Sequence, residues 1–451
     1  MLLAAAPGAW SQAAVWEYPA VWSDTTIVRH SAGGGYVVYA RQGSMPATVA
    51  YHDNAGDTVY EASLPSGVTI NDFRILDGIV YAGGSLRQSG YQVGLLGCFS
   101  IADLKAGNCN FSWMLFSHTP MNQYPCFNPG NHDLVTGVKR LEVFDAGGVP
   151  VVAYISDNVI MTDMLDYSSV NYHRTGCGDV ACPSMAWSPN LYHYNKDGAE
   201  HYTDIAVTDN HVVVVSREED SGYFSMEFYI RAAGMIPSYP PMINYPVYRF
   251  KDHKVYGRVM VAATEGDEFV AAYHYKDPSG NTGMALRRLS VGGGVPVLTG
   301  AVDIPLPYSG VPMEMRDVRY SGETNSVWLL TDDESPATGL WERYVRRIDM
   351  GNFGSGVYEE RHYPGHKFQS LDRYSGGGYI SSGAGGSSLA VGVEAVPGDS
   401  PCRVINEVHG AVVTPRMYYW GHHLCSVEIV YLQGLISSTM RKDRVDRVCG
   451  E

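Results

Sequence analysis

Three aspartates stand at matching places in three similar stretches: Asn71-Asp72-Phe73-Arg74-Ile75-Leu76, Thr203-Asp204-Ile205-Ala206-Val207 and Arg316-Asp317-Val318-Arg319-Tyr320. If those stretches are equivalent strands about one axis, Asp72, Asp204 and Asp317 ring a central channel. There they could bind a cation or the hydroxyls of a sugar. The same placement has a structural use, because an aspartate accepts backbone N–H bonds from neighbouring chain and holds elements in register. The structural use is the expected one.

A second set of chemistry-bearing residues lies in two long segments with little periodicity. The first runs Ser117-His118-Thr119-Pro120 through Tyr124, Phe127, His132 and Asp133. The second runs from Tyr172 to His201 and carries Cys177, Cys182, Trp187, Tyr192, His193 and Tyr194. Long loops in a compact protein tend to be functional, and aromatic rings stack on sugar faces. Tyr124, Phe127, His132, Asp133, Trp187, Tyr192 and Tyr194 are therefore the candidate ligand-binding set, on a lid pinned by Cys126 to Cys177 or Cys182. The histidines His118, His132, His173, His193 and His201 have ligand chemistry for zinc, but none form a tight pair, so no metal site is assigned. No cofactor is expected; calcium or zinc is what the residue types would suit.

No phosphate-binding Gly-Lys-Ser/Thr loop, zincin helix or nucleophile elbow is present. A carboxylate pair for glycoside cleavage is defined by spatial separation, which spacing along the chain does not give. No catalytic residue is assigned.

The elements that must carry these residues repeat. Arg319-Tyr320-Ser321-Gly322 and Arg373-Tyr374-Ser375-Gly376 are near copies, and Arg29-His30-Ser31-Ala32-Gly33 is a third; each is followed by a strand-like run. Repeated hairpins far apart in a chain indicate an array of β units. Gly 50, Tyr 32 and Pro 24 with only 18% charged residues disfavour helices and suit pleated surfaces. First strands are expected near Arg29, Arg74, Glu142, Ala206, Met260, Arg319 and Arg373. The fold expected is all-β, a seven-bladed β-propeller, with six or eight blades as the nearest alternatives. Val15-Trp16-Glu17-Tyr18, Val427-Glu428-Ile429-Val430-Tyr431-Leu432, or both should complete blade seven. In blade two, Asp77-Gly78 marks a tight hairpin turn. The strand end Tyr81-Ala82-Gly83-Gly84 resembles the double glycine of kelch repeats, a resemblance that covers one blade of the chain.

The formal charge of −15 repels phosphate backbones, so nucleic acid is not an expected partner. No run of eighteen apolar residues exists to cross a bilayer as a helix. Residues 1–13 read as a truncated signal peptide with small residues Ser11 and Ala13, residues 14–435 as one propeller domain and 436–451 as a tail. The eight cysteines favour disulfides, with Cys98–Cys109, Cys177–Cys182 and Cys402–Cys425 as natural pairs. The expectation is a monomeric secreted, periplasmic or cell-surface propeller of bacterial type. It binds a carbohydrate or a cell-surface protein, with a glycan-cleaving hydrolase or lyase, or a purely structural envelope domain, as alternatives.

Overall fold

The computed structural model describes residues 12–18, 25–31, 34–41, 46–53, 59–88, 91–109, 111, 113–117, 135–145, 150–160, 165–174, 200–218, 224–230, 247–250, 253–291, 295–305, 313–334, 341–363, 366–373, 379–385, 388–394, 403–406, 413–420, 423–431 and 439–440. The first strand is β1 (Gln12–Tyr18). Blade one is β2 (Thr25–His30), β3 (Tyr36–Arg41), β4 (Thr48–His52) and β5 (Val59–Ser63). Blade two is β6 (Val68–Leu76), β7 (Ile79–Gln88), β8 (Tyr91–Ser100) and β9 (Trp113–Ser117), with the short helix α1 (Ile101–Lys105) after β8. Blade three is β10 (Val135–Asp145), β11 (Pro150–Ile160) and β12 (Leu165–Arg174). Blade four is β13 (Glu200–Val207), β14 (His211–Glu218), β15 (Phe224–Ile230) and β16 (Val247–Phe250). Blade five is β17 (Lys254–Ala263), β18 (Glu268–Lys276), β19 (Thr282–Ser290) and β20 (Val297–Pro305). Blade six is β21 (Met313–Ser321), β22 (Ser326–Glu334), β23 (Trp341–Asp349) and β24 (Glu359–Tyr363). Blade seven is β25 (His366–Arg373), β26 (Tyr379–Gly385) and β27 (Ser388–Glu394), with β1 as its fourth strand.

All pairings are antiparallel, and the first strand of each blade lies against the first strand of the next, from β2 through β25 and back to β2. That closed circuit makes the molecule a seven-bladed β-propeller. The two-sided burial of its blades explains the sequence pattern. In β14 the run Val212–Val215 is apolar throughout because blades cover both of its faces, and all four valines are buried. On the outer strand β20, Val297 and Leu298 are exposed while Val302 and Ile304 are buried. The cores lie between blades. One joins Val37 and Tyr39 of blade one to Phe73 and Phe99 of blade two, and another joins Met260 and Leu286 of blade five to Val318 and Leu329 of blade six.

The double glycine of blade two has two jobs. A Cβ on Gly84 would stand 1.8 Å from the Thr69 carbonyl oxygen, and one on Gly83 would stand 2.5 Å from Val138 Cγ1. Gly84 thus lets β6 and β7 approach closely, and Gly83 lets blade three seat on blade two.

Of the two expected closing strands, β1 completes blade seven, pairing Gln12–Tyr18 with Leu389–Glu394. The segment Val427–Tyr431 instead lies in an eighth sheet of β28 (Arg403–Asn406), β29 (Val413–Trp420), β30 (His423–Tyr431) and β31 (Thr439–Met440). β30 already has β29 and β31 as partners, so it offers no edge to the ring. β28 lies beside β1, and Thr439–Met440 falls within the expected tail. Cys98 and Cys109 are buried and are not joined in a disulfide. Cys98 packs with Tyr81, Val138 and Leu141 toward blade three, whereas Cys109 packs with Leu64 and Leu104 toward blade one. The two sulfurs belong to opposite faces of blade two. Finally, the repeat positions are offset in blades five and seven. Inter-blade bonds fall on Val28, Val261 and Leu371, so Ala262, not Met260, and Asp372, not Arg373, are in register with Arg29.

Candidate functional site

Five of the seven inner strands carry a one-residue bulge at one level. Asn71, Lys139, Thr203, Arg316 and Gln369 are each the extra residue in β6, β10, β13, β21 and β25. The residue after the bulge is the one the repeat singles out: Asp72, Arg140, Asp204, Asp317 or Ser370. A bulge turns the strand locally and re-aims this side chain toward the next blade. Asp72 accepts the N–H of Leu141 at 3.2 Å, Asp204 that of Val261 at 2.9 Å and Asp317 that of Leu371 at 3.1 Å. Ser370 does the same at the closing junction, where Val28 N–H donates to its hydroxyl at 3.1 Å. The bulged residues Asn71 and Thr203 add donors to the carbonyls of Val138 and Val259. The predicted aspartates are therefore staples between successive blades, as the structural expectation had it.

The sequence reading missed the arginines. Arg29, 2% exposed, bonds Asp72 at 2.8 Å, Ser370 Oγ at 2.7 Å and the Phe73 carbonyl at 3.2 Å, and stands 3.6 Å from Asp317. Arg74 bonds Asp72 at 2.7 Å and Glu142 at 2.6 Å. Glu142 also faces Arg319 at 3.5 Å, which faces Asp317 at 3.3 Å. Glu142 of blade three thus ties blades two and six together at the axis. Arg140 donates to the Arg316 carbonyl at 3.1 Å, so it too crosses from blade three to blade six. These side chains fill the middle of the channel. The signal available in the sequence was the Asp-apolar-Arg pattern at Asp72–Arg74 and Asp317–Arg319; partners from non-adjacent blades leave no such trace.

Charge placement sets opposite protonation behaviour at equivalent positions. Burial would raise the Asp72 carboxyl, but Arg74, Arg29, Arg140 and Arg319 hold it well below the usual carboxylate range. Burial is likewise outweighed at Asp317 by Arg319, Arg29 and Arg140, leaving it lowered. At Asp204 burial wins and pushes the carboxyl up to about 6, because its nearest guanidinium, Arg140, is 3.9 Å away. Arg29 is lowered to about 10, by burial first and then by the charges of Arg319 and Arg74.

Toward the start of the inner strands the arginine side chains are more exposed than Arg29. Arg316 bonds Glu314 at 2.8 Å and Asp332 at 2.6 Å. In β17 the bulge is two residues long, Gly257–Arg258, because Tyr256 pairs with His274 and Val259 with Tyr273. Gly257 has φ +77°, a left-handed conformation that favours glycine, and the following Arg258 side chain is 53% exposed. Its nearest carboxylate is Glu314, at 3.6 Å.

The aromatic set is not placed: Tyr124, Phe127, His132, Asp133, Trp187, Tyr192 and Tyr194 all lie outside the described residues. So do the side chains of the remaining cysteines and of the loop histidines. The described strands do show where the two segments attach. The first leaves a fourth strand, β9, and enters β10; the second leaves a third strand, β12, and enters β13. The expectation that both follow a fourth strand is corrected. β12 runs parallel to β10, so the second segment leaves the end of the ring opposite to the one where β13 begins. Among the described residues no group of three His, Cys, Asp or Glu could hold a metal ion, and no helix is long and apolar enough to cross a membrane.

No protein-family model and no curated protein matches the chain. Solved structures similar to it include the Myceliophteria thermophila Cps50 (Swd1) β-propeller domain, at 12% identity over 85% of this chain and 99% of that one, with a TM-score of 0.47. The polysaccharide lyase Uly1 is similar at 8% identity over 82% of this chain and 89% of that one, with a TM-score of 0.47. Puromycin hydrolase is similar at 12% identity over 92% of this chain and 61% of that one, with a TM-score of 0.44. At such identities and scores no residue role passes from them to this chain.

Proposed function

We propose that this propeller is a binding or scaffold module that presents a carbohydrate-binding face outside the cytoplasm. The observation supporting this is the state of the axial carboxylates. Asp72, Glu142 and Asp317 are committed to arginines, and Asp72 and Asp317 also to backbone N–H groups, so none is free to serve as acid or base. A ring stapled in this way is a rigid frame for ligand-binding loops, and Trp187, Tyr192 and Tyr194 are the proposed stacking residues. The test is a glycan array on the full chain, followed by a product assay on every glycan retained. Retention without cleavage supports the module, and Trp187→Ala should weaken it about tenfold, a stacked ring being worth roughly 1 kcal/mol or more. Cleavage of a retained glycan overturns it.

One observation favours the enzyme reading. Asp204 is buried and its carboxyl is raised to about 6, the condition of a general acid at neutral pH. Turnover lost in Asp204→Asn with binding intact would move the protein to that class. The extracellular setting rests on the six cysteines other than Cys98 and Cys109. Mass analysis of unreduced protein should find those six in disulfides; six free thiols would remove that support.

A further inference from the structure

We infer that the mouth of the central channel binds a carboxylate, with Arg258 as its principal donor and Arg316 and Arg140 beside it. The inference rests on the binding-module reading and names its ligand class. Arg258 is put there by construction. Five inner strands carry a one-residue bulge, and β17 alone carries the two-residue bulge built on Gly257 in the left-handed conformation. Bulges of this kind re-aim a side chain, and here the side chain taken off the ladder is an arginine.

The guanidinium has donors to offer. Among the described residues it makes no hydrogen bond; Glu314 at 3.6 Å is its nearest charge. Its neighbours are committed: Arg316 to Glu314 and Asp332, and Arg140 to the Arg316 carbonyl across the axis. Partial burial first, and then repulsion by Arg140 and Arg316, lowers the Arg258 pKa. An anion seated among three guanidinia relieves that repulsion, and the planar fork of arginine matches a carboxylate with two parallel bonds. The site lies at the end of the ring where the inner strands begin, the end at which the chain between β9 and β10 enters blade three. A uronate residue of an acidic polysaccharide and a free small carboxylate share this chemistry.

The test uses the full chain with four probes: polygalacturonate, galacturonate, acetate and neutral dextran. Calorimetry should show polygalacturonate or galacturonate binding that weakens with salt, and none with dextran. Polymer-only binding identifies a polysaccharide, and equal binding of acetate identifies a small acid. Arg258→Gln should lose about tenfold or more in affinity, the value of a charge-assisted hydrogen bond. Glu314→Gln frees Arg258 and Arg316 from their shared carboxylate and should tighten binding several-fold, an opposite sign that loss of folding cannot produce. Absence of binding by every carboxylate probe, or equal affinity in wild type and both variants, overturns the carboxylate site. If a neutral glycan binds while these probes fail, the module survives and only its ligand class is wrong. If a bound probe is cleaved, the module reading falls.

Discussion

The junction between blades two and three and that between blades four and five are built on one plan. Each has a bulged polar residue donating to the next blade's carbonyl, then an aspartate accepting its N–H. They differ in the cations within reach. Asp72 has Arg29 at 2.8 Å and Arg74 at 2.7 Å, whereas among the described residues the one arginine in ion-pair range of Asp204 is Arg140, at 3.9 Å. One carboxyl is consequently driven down and the other up to about 6. Position in the repeat fixes the hydrogen bond; the neighbouring blades fix the charge. The weaker charge anchor is supplemented at the other end of its junction, where Thr208 and Asn210 each donate to Asp267 at 2.8 Å.

The sharpest way to break this contrast is to delete both carboxylates. Asp72→Ala strands Arg29 as a buried charge and should cost about 3–5 kcal/mol in urea unfolding. Asp204→Ala loses mainly an N–H acceptor and should cost about 1–2 kcal/mol. Equal losses would show that the arginines make no difference.

Titration sharpens it next. Asp204 binds a proton more tightly folded than unfolded, so its contribution is fully present below the unfolded value of 3.8 and is lost as pH rises through about 6. The loss is about 3 kcal/mol across that window. Asp72 and Asp317 run the other way: their lowered values stabilise the fold above 3.8, and that stability disappears as pH falls through the folded values. Unfolding free energies measured across this pH range should therefore lose their decline between pH 4 and 6 in Asp204→Asn, with the acid-side loss retained. An unchanged decline would sink the assignment. An effect as small as that of Asp204→Ala is expected at the closing junction, where Ser370 stands in the aspartate's place. Ser370→Ala removes the acceptor for Val28 N–H and a partner of Arg29, and should cost about 1–2 kcal/mol by the same unfolding measurement.

Much of the ring was legible from particular residues. The Asp72, Asp204 and Asp317 repeat located three inner strands, and the valine run of β14 and the turn at Asp77-Gly78 located others. The site was less so. Glu142 meets Arg319, and Arg140 meets the Arg316 carbonyl, only because a closed ring brings blades three and six together. No local pattern encodes that meeting. Cys98 and Cys109 were misjudged because nearness along the chain says nothing about which face of a sheet a side chain leaves by. The strand pattern of Val427–Tyr431 does form β structure, within β30, but strand character does not name its partner.

The clasp formed by β1 on β27 has a consequence for biosynthesis. Gln12–Tyr18 leaves the ribosome before all of blades one to six and its mate, Leu389–Glu394, only after them, so the strand must wait, edges bare, while six blades assemble. Whatever shields that strand during the delay, whether a chaperone or slow release from the exit tunnel, sets how much of each newly made chain reaches the closed state rather than pairing with a stranger.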